Sequence, residues 1–392
     1  MTPAARAGAA IEILDQAIAA ARGGGAAADT IVSRYFSTRR YAGSKDRRAV
    51  RALVYRAIRA WPEAPPSGRA ALLGLGDPGL VTLFDGSSHA PAPPAEGEAV
   101  NAPSHVIPGW LQPRLDPMVG PDEGAALLER APLDLRVNRL RGTREEALAL
   151  LPEAVPTPLS PLGLRLPEGT RVEETEAWRS GLIEVQDEGS QLLALACGAQ
   201  PGTAVVDLCA GAGGKTLALA AEMRNEGRLI ASDVDSSRLS GMRPRVERAG
   251  ISIVEPRLLD PGREREALAD LAGGADLVLV DAPCSGTGTW RRNPELRWRL
   301  TPERLARFVK MQAYLIDIAW ELVGPGGVLV YAVCSLLAEE GRGQAEAFGG
   351  RSSAVSEAVP IRGGRAAGPG RLLTPGHDGT DGFFVARWRR PC

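Results

Sequence analysis

Four short apolar runs in the second half of the chain, each ending at a small or polar residue, constrain the architecture more than any other feature. They are Ala204-Val205-Val206-Asp207, Arg228-Leu229-Ile230-Ala231-Ser232, Leu277-Val278-Leu279-Val280 and Gly327-Val328-Leu329-Val330-Tyr331. Helix-length segments lie between and after them, among them Lys215 to Arg224, Ser236 to Ala249 and Thr301 to Leu322. Strands that are apolar on both sides need cover on both sides, so the pattern predicts an α/β fold with a mostly parallel sheet between helices. Such sheets hold their ligands at the carboxyl ends of the strands, and the residues after each run therefore carry the chemical reading.

The first run leads into Asp207-Leu208-Cys209-Ala210-Gly211-Ala212-Gly213-Gly214-Lys215-Thr216. Glycines at a strand-to-helix turn let a ligand come close to the backbone. Asp233, 22 positions after Gly211 and just past the second run, is placed to accept hydrogen bonds from a ribose diol. Strand, turn, helix and acid together point to a nucleoside-type cofactor, whereas a glycine turn alone would be explained by tight packing. Gly214-Lys215-Thr216 also ends like a phosphate-binding GxxxxGK[ST] loop, but the first glycine of that pattern falls on Cys209, and the match fails.

The third run continues as Asp281-Ala282-Pro283-Cys284-Ser285-Gly286, and the fourth as Ala332-Val333-Cys334-Ser335. Two cysteines and an acid thus follow sheet strands. Carbon 5 of cytosine is too weak a nucleophile to take a methyl group directly. A thiolate adding at carbon 6 makes carbon 5 enamine-like, and a base must later remove the carbon 5 proton so that the thiolate can leave. Paired cysteines at the rim suit that chemistry, while methylation of an exocyclic amine needs no thiol. Cys197, in an apolar helical run, reads as a buried hydrophobe, and Cys392 as a terminal residue without a role.

The five cysteines have no CxxC spacing and are odd in number, and the three histidines are far apart, which argues against a disulfide framework and against a metal site. No signal-peptide core and no uncharged run of membrane-spanning length is present, so a reducing cytoplasmic location is expected. The formal net charge of −1 gives no hint of a nucleic-acid partner. Met1 to Trp61, however, holds eleven Arg plus Lys against four Asp plus Glu, a local net of +7. Nearly all of it is guanidinium, which binds phosphate in a bidentate fork and stacks on bases.

The division expected from these patterns is a helical domain over residues 1–118 with a Pro/Gly-rich loop or linker near 62–104, a small α/β module over 119–185, and a catalytic domain over 186–392. Apolar stripes at helical spacing support the first, as in Ile11, Leu14, Ala17 and Ile18. A short helical stretch resumes at Pro108-Gly109-Trp110-Leu111. Strand-like Leu133-Leu135-Val137 and Gly163-Leu164-Arg165-Leu166 flank one helix, Arg144 to Leu151, in the second.

From about Pro132 to Arg390 the chain closely resembles the Sun-type (RsmB/NOP/Sun) RNA cytosine-C5 methyltransferases. Asp207 to Thr216 is similar to their cofactor loop, Asp281 to Gly286 to their Pro-Cys motif, and Cys334-Ser335 to their Thr-Cys-Ser motif. Gln186 to Gln191, Arg291-Arg292-Asn293-Pro294-Glu295 and Asp381-Gly382-Phe383-Phe384 also match. The resemblance implies a class I, Rossmann-like methyltransferase domain, an RRM-like small module and a NusB-like RNA-binding helical domain, in a bacterial ribosomal RNA enzyme acting as a monomer. It implies S-adenosylmethionine held by Cys209, Ala210, Gly211, Ala212, Gly213, Gly214, Lys215, Asp233, Arg238, Asp260 and Asp281. The nucleophile falls on Cys334, the product-release cysteine on Cys284, and the contact to the ring's polar edge on Asp281. Val333 stands where the family has threonine, and Gly211-Ala212 where many members have Ala-Pro; neither change removes a reacting group.

A target cytosine has to be single-stranded or flipped out for carbon 6 to be reached. Arg47, Arg48 and Arg51, with their basic neighbours and Tyr35, Phe36, Tyr41 and Tyr55, form a cluster suited to phosphate contact and base stacking. Arg291 and Arg292, just past the first cysteine loop, are expected to grip the target's phosphate. The competing readings are a non-catalytic RNA-binding scaffold, disfavoured by the full set of cysteines and acids, and a phosphate-loop NTPase, disfavoured by Cys209.

Overall fold

The computed structural model describes residues 1–98 and 101–392. Its chain divides into two compact units. One comprises Met1–Arg114, Gly124–Glu129 and Thr289–Pro302; the other comprises Leu115–Glu123, Arg130–Gly288 and Glu303–Cys392.

The first unit is helical. Helix α1 (Pro3–Gly23) opens with Thr2, whose hydroxyl accepts the Ala5 N–H, and with Pro3 in the first turn; it stops at Gly24, which adopts φ +74° and donates to Ala20. Ala10, Ile13, Leu14, Ala17 and Ile18 bury one stripe of α1 against α2 (Ala28–Ser37) and α3 (Ser44–Ala60). Within the Pro/Gly-rich stretch expected as a loop, Gly68–Leu73 and Pro78–Val81 are helical. Their caps, Ser67 and Asp77, accept from Ala70 and Leu80, and Leu72 and Leu73 enter the core. Ala99 and Val100 of that stretch lie outside the described residues. At 108–111 the chain forms turns, followed by the single 3-10 turn Gln112–Arg114.

Thr289–Pro302, placed by its sequence position in the catalytic domain, belongs to the helical unit. Trp298 is buried in its core and donates from Nε1 to Trp61 O at 2.9 Å. The buried Arg297 reaches Ile58 O and Val106 O, both at 2.7 Å, and Glu295 Oε1 accepts the Ala28 N–H at the start of α2.

The second unit contains two sheets. In the small one β1 (Leu133–Val137), β2 (Val155–Pro156), β3 (Gly163–Leu166) and β4 (Ile183–Val185) run antiparallel in the order β2-β3-β1-β4. Leu135, Val137, Leu164 and Ile183 pack under the helix Arg144–Leu150. The other face is polar and yet buried: Asp134, Arg136 and Glu184 are each under 5% exposed. They spend their charge on named partners. Asp134 pairs with Arg165 at 2.7 Å, and Glu184 with Arg245 at 2.7 Å and with Arg248.

The large sheet has nine strands: β5 (Ala204–Asp207), β6 (Arg228–Asp233), β7 (Val254–Leu258), β8 (Ala275–Asp281), β9 (Val323–Val333), β10 (Val355–Glu357), β11 (Arg365–Ala367), β12 (Gly370–Leu373) and β13 (Phe383–Arg389). The path β7-β6-β5-β8-β9 is parallel, and β13, β12 and β11 extend it antiparallel beyond β9, with β10 paired to β13. Residues of both parities in the parallel strands are buried, such as Val205 with Val206 and Leu279 with Val280, as strands covered on both faces require. The order reverses between β5 and β8, so their carboxyl ends border the crevice where this topology binds ligands. This is a class I, Rossmann-like domain. Strand β7 escaped the sequence reading because it carries Glu255, Pro256 and Arg257; it pairs only with β6 and lies at the sheet edge, where proline costs no ladder bond.

Candidate active site

The loop after β5 crosses the strand ends. Leu208 N–H still bonds to Leu279 O of β8 at 2.9 Å, and two residues later Ala210 N–H bonds to Ser232 O of β6 at 2.9 Å. Gly211 N–H then donates to Asp233 Oδ2 at 2.8 Å, while Asp233 Oδ1 accepts the Asp235 N–H at 2.8 Å. Gly211 and Gly213 both take positive φ, +56° and +84°, for different reasons. A side chain at Gly213 would strike Met242 Cγ at 2.5 Å, so packing excludes one there; around Gly211 no atom lies within 4 Å of such a position, so the backbone is open to a ligand. An open glycine backbone beside a half-buried carboxylate fits the ribose end of a nucleoside cofactor. Asp260 is exposed one residue beyond Leu259, whose N–H donates to Asp233 O at 2.9 Å, so it borders the same strand ends. Arg238 is exposed on the helix Ser236–Ala249 and approaches Asp235 at 3.6 Å.

The loop is braced from below. Arg136 of β1, fully buried, donates from Nη1 to Gly214 O at 2.9 Å and to Gln186 Oε1 at 2.5 Å. Burial, and then the repulsion of Arg245, push its guanidinium down to about 9. Arg245, held by Glu184, donates to Ala212 O at 2.6 Å. The Gln186 to Gln191 motif is thus a joint between the small sheet and the cofactor loop: Gln191 Nε2 reaches Leu135 O at 3.1 Å, and Glu188 Oε1 accepts Leu159 and Ser160 N–H groups.

Behind the loop, Asp207 is buried and accepts the Thr216 hydroxyl at 2.7 Å through Oδ2. Burial is the main reason its carboxyl is pushed up to about 7. Lys215 is buried at 9% exposure, and its ammonium contacts Asp281 Oδ2 at 2.6 Å and lies 5.8 Å from the centre of the Phe383 ring. Burial alone would lower this lysine; the Asp281 charge and hydrogen bond, and then the negative charge of Cys334 as a thiolate, outweigh it and hold the ammonium above its usual range.

Cys284 and Cys334 are 50 residues apart in sequence, and their sulfurs lie 3.3 Å apart. The register of β8 and β9 does this by placing Asp281 opposite Ala332, after which the two chains turn together: Ala282 N–H bonds to Ala332 O at 2.9 Å and Gly288 N–H to Cys334 O at 3.0 Å. Gly288 in turn abuts Gly382: a side chain at Gly288 would meet Gly382 O at 2.0 Å, and one at Gly382 would meet Leu336 Cδ2 at 2.7 Å and Gly288 Cα at 2.8 Å, which explains the glycine of the Asp381-Gly382-Phe383-Phe384 motif. Both cysteines are half-buried. The neighbouring Cys334, then burial, push the Cys284 thiol well above its ordinary value.

Residues 194–389 match the family described as 16S rRNA methyltransferase RsmB/F, which is half of the chain. The chain belongs to this family. It is 36% identical over 292 residues to the ribosomal RNA small subunit methyltransferase B of Salmonella agona and, to the same extent, to that of Salmonella typhi. The match covers 71% of this chain and 65% of each relative, so the chain spans about two thirds of their length. Among solved structures, a methyltransferase homologue protein from Pyrococcus horikoshii aligns with TM-score 0.61 and 28% identity over 69% of this chain and 90% of its own. The protein PH0851 shares the fold over 100% of this chain and 99% of its own, with TM-score 0.76 and 24% identity. The cofactor loop, Asp233 and both cysteine loops lie within the matched residues.

The basic and aromatic candidates for RNA contact fall in the helical unit. Lys45, Arg47, Arg48, Arg51 and Arg56 are exposed on α3, opposite its buried Val50, Val54 and Ile58. Tyr35 and Phe36, expected as stacking platforms, are core residues at 5% and 4% exposure, because they lie on the buried stripe of α2; Tyr41 is exposed. Arg292 is half-buried. Arg291 is 7% exposed with its carbonyl bonded to Arg59, so its guanidinium is not presented as a surface phosphate grip. Cys197 is buried, with burial raising its thiol, as a packing residue would be. Cys209 is held protonated by burial in the same way. Among the described residues no group of three or more His, Cys, Asp or Glu could hold a metal ion, and no helix is long and apolar enough to cross a membrane.

Sequence reasoning missed Glu340, Gln312 and Thr287, which tie the two cysteine loops together. Glu340 is fully buried six residues after Cys334, and nothing in its local sequence marks it as different from an ordinary surface carboxylate.

Proposed function

We propose that this chain uses S-adenosylmethionine to methylate carbon 5 of a cytosine in RNA, and that the RNA is the 16S ribosomal RNA of the small subunit. The observation that carries the proposal is the contact between the Cys284 and Cys334 sulfurs at the ends of adjacent parallel strands, beside the Lys215–Asp281 ion pair. Carbons 5 and 6 of cytosine are ring neighbours, so two thiols in contact reach both. The family description and the names of the Salmonella relatives support the choice of RNA.

The residues divide the work as follows. The loop Cys209 to Lys215 would hold the cofactor, with Asp233 accepting from its ribose and Asp260 and Arg238 at the adjoining rim, and the cofactor would supply an electrophilic methyl group. Asp281 bonds the polar edge of the cytosine. Cys334, as the thiolate, adds to carbon 6, and the electron pair of the 5,6 double bond moves to carbon 5, which takes the methyl group. Cys284 then removes the carbon 5 proton; the electrons re-form the double bond and expel Cys334 as thiolate. Once Cys334 is bonded to carbon, its hydrogen bond with Cys284 and then its charge no longer raise the Cys284 thiol, which can give its own proton to solvent and act as the base. The exposed arginines Arg47, Arg48 and Arg51, with Arg292, supply phosphate contacts for the RNA.

The two cysteines are separated by substitution. Cys334→Ser should abolish methylation and form no covalent adduct, because a hydroxyl without a strong base is a much poorer nucleophile than a thiolate. Cys284→Ala should methylate once and remain bonded to the RNA, giving a shifted band on a denaturing gel. An adduct with Cys334→Ser instead would reverse the roles.

A further inference from the structure

Each cysteine is followed by a serine, and both serines end on one carboxylate. Glu340 is 0% exposed and lies between β9 and the helix Arg342–Arg351. Its Oε1 accepts the Ser285 N–H at 2.9 Å and the Gln312 side-chain amide at 3.0 Å. Its Oε2 accepts the Ser335 hydroxyl at 2.5 Å and the Ser285 hydroxyl. Its own carbonyl accepts the buried Tyr331 hydroxyl at 2.6 Å, so the residue is fixed from behind as well.

The two loops depend on this carboxylate unequally. Cys334 follows the last paired residue of β9, which has β8 on one side and β13 on the other, with Phe384 opposite Val333. Beyond it, Cys334 O accepts the Gly288 N–H, and Leu336 N–H donates to Thr287 Oγ1 at 2.8 Å. Cys284 has weaker moorings. Pro283 before it has no N–H to give, and its carbonyl accepts the same Gln312 amide, at 2.9 Å. The Ser285 N–H after it goes to Glu340. Glu340 and Gln312 therefore grip the backbone on both sides of Cys284, while Cys334 is held by the sheet.

We propose that Glu340 is a positioning residue of the reaction: by bonding the residue after each cysteine it fixes Cys284 at the carbon 5 proton while Cys334 is covalently engaged. The proposal rests on the cysteine roles given above. A buried carboxylate that merely satisfied nearby donors would affect folding alone. One that sets the place of the base affects a single step, release of the methylated RNA, because attack by Cys334 and methyl transfer precede it.

The test uses the full-length protein with S-adenosylmethionine and transcribed 16S ribosomal RNA, and follows methyl incorporation, turnover and the covalent band on a denaturing gel. Glu340→Ala should still transfer methyl in a single turnover but accumulate adduct, with kcat lower by about tenfold or more and KM for the cofactor changed by less than about twofold, since a base displaced by an ångström loses most of its advantage. Glu340→Gln should release product within about threefold of the parent rate: its amide oxygen can take the Ser285 and Gln312 donors, and the Ser285, Ser335 and Thr287 hydroxyls, within 3.2 to 3.4 Å of one another, can reorient to receive its NH2 group. Gln312→Ala removes one arm only and should show a smaller accumulation, which carries the test if Glu340→Ala does not fold. Product release at the parent rate without adduct in Glu340→Ala, or in Gln312→Ala where that variant stands alone, overturns the proposal, as does stalling of Glu340→Gln equal to that of Glu340→Ala. Cys284→Ala serves as the control: if it fails to trap adduct, the cysteine roles fall and this inference with them, whereas a trapped Cys284→Ala beside a freely releasing Glu340→Ala refutes the inference alone.

Discussion

Replacing Asp207 with asparagine should remove part of the pH dependence of folding stability. In the native protein burial, helped by the charges of Asp281 and Asp233 and opposed by the Thr216 hydrogen bond and by Lys215, raises this carboxyl from 3.8 to about 7. The native state thus binds the proton more tightly than the unfolded chain does. The stabilisation is complete below pH 3.8, declines as pH rises, and is gone above about 7. At about 1.4 kcal/mol per pH unit the full loss is about 4 kcal/mol, of which roughly 2 to 3 kcal/mol falls between pH 5 and pH 8.5. Asparagine cannot ionise, so it lacks this loss. Its carbonyl can keep the Thr216 bond, but its NH2 group would occupy the site of Oδ1, which is buried with no hydrogen-bond partner among the described residues. That costs roughly 1 to 3 kcal/mol at every pH. The decisive quantity is therefore the change with pH in the stability gap between the two proteins. Urea unfolding at pH 5 and pH 8.5 should show the gap moving toward the variant by roughly 2 to 3 kcal/mol. A gap equal at both pH values would mean that Asp207 is ionised throughout and that the burial argument is wrong.

Two further outcomes test the ligand sites. Asp233→Ala should weaken S-adenosylmethionine binding by about tenfold or more, since a carboxylate accepting ribose hydrogen bonds contributes roughly 1.5 to 3 kcal/mol; unchanged affinity in calorimetry removes Asp233 from the site. Changing Arg47, Arg48 and Arg51 together to Ala should reduce the slope of log affinity for RNA against log salt by about 2, with cofactor binding intact; an unchanged slope assigns the exposed face of α3 to another role.

Much of the protein was legible in its sequence because the relevant signals are local. Continuous apolar strands alternating with helices specified the parallel sheet, and chain order alone put the cofactor loop and both cysteine loops at strand ends, since a parallel strand presents its next residues at the same rim. The glycines of the cofactor loop were also legible, although only the tertiary structure distinguishes Gly213, demanded by Met242, from Gly211, open to a ligand. The antiparallel strands β10 to β13 and the edge strand β7 were not, because they are short or interrupted by charge and proline, and pairing partners supply what their own composition lacks.

What the sequence determined by itself is which reactive groups exist and on which loops. Tertiary structure alone decided their company. That Cys284 and Cys334 touch depends on β8 and β9 being neighbours in a particular register, a contact across 50 residues. Arg136, Glu184, Arg297 and Glu340 look like surface charges in a linear reading, and all are buried: two brace the cofactor loop, one anchors Thr289–Pro302 in the helical unit, and one clamps the cysteine loops. Burial is set by distant chain that folds over a residue, and a charge is retained there only when that chain also brings the donors or acceptors it needs. No short window of sequence contains both halves of the Arg136–Gly214, Glu184–Arg245, Arg297–Ile58 or Glu340–Ser285 contacts.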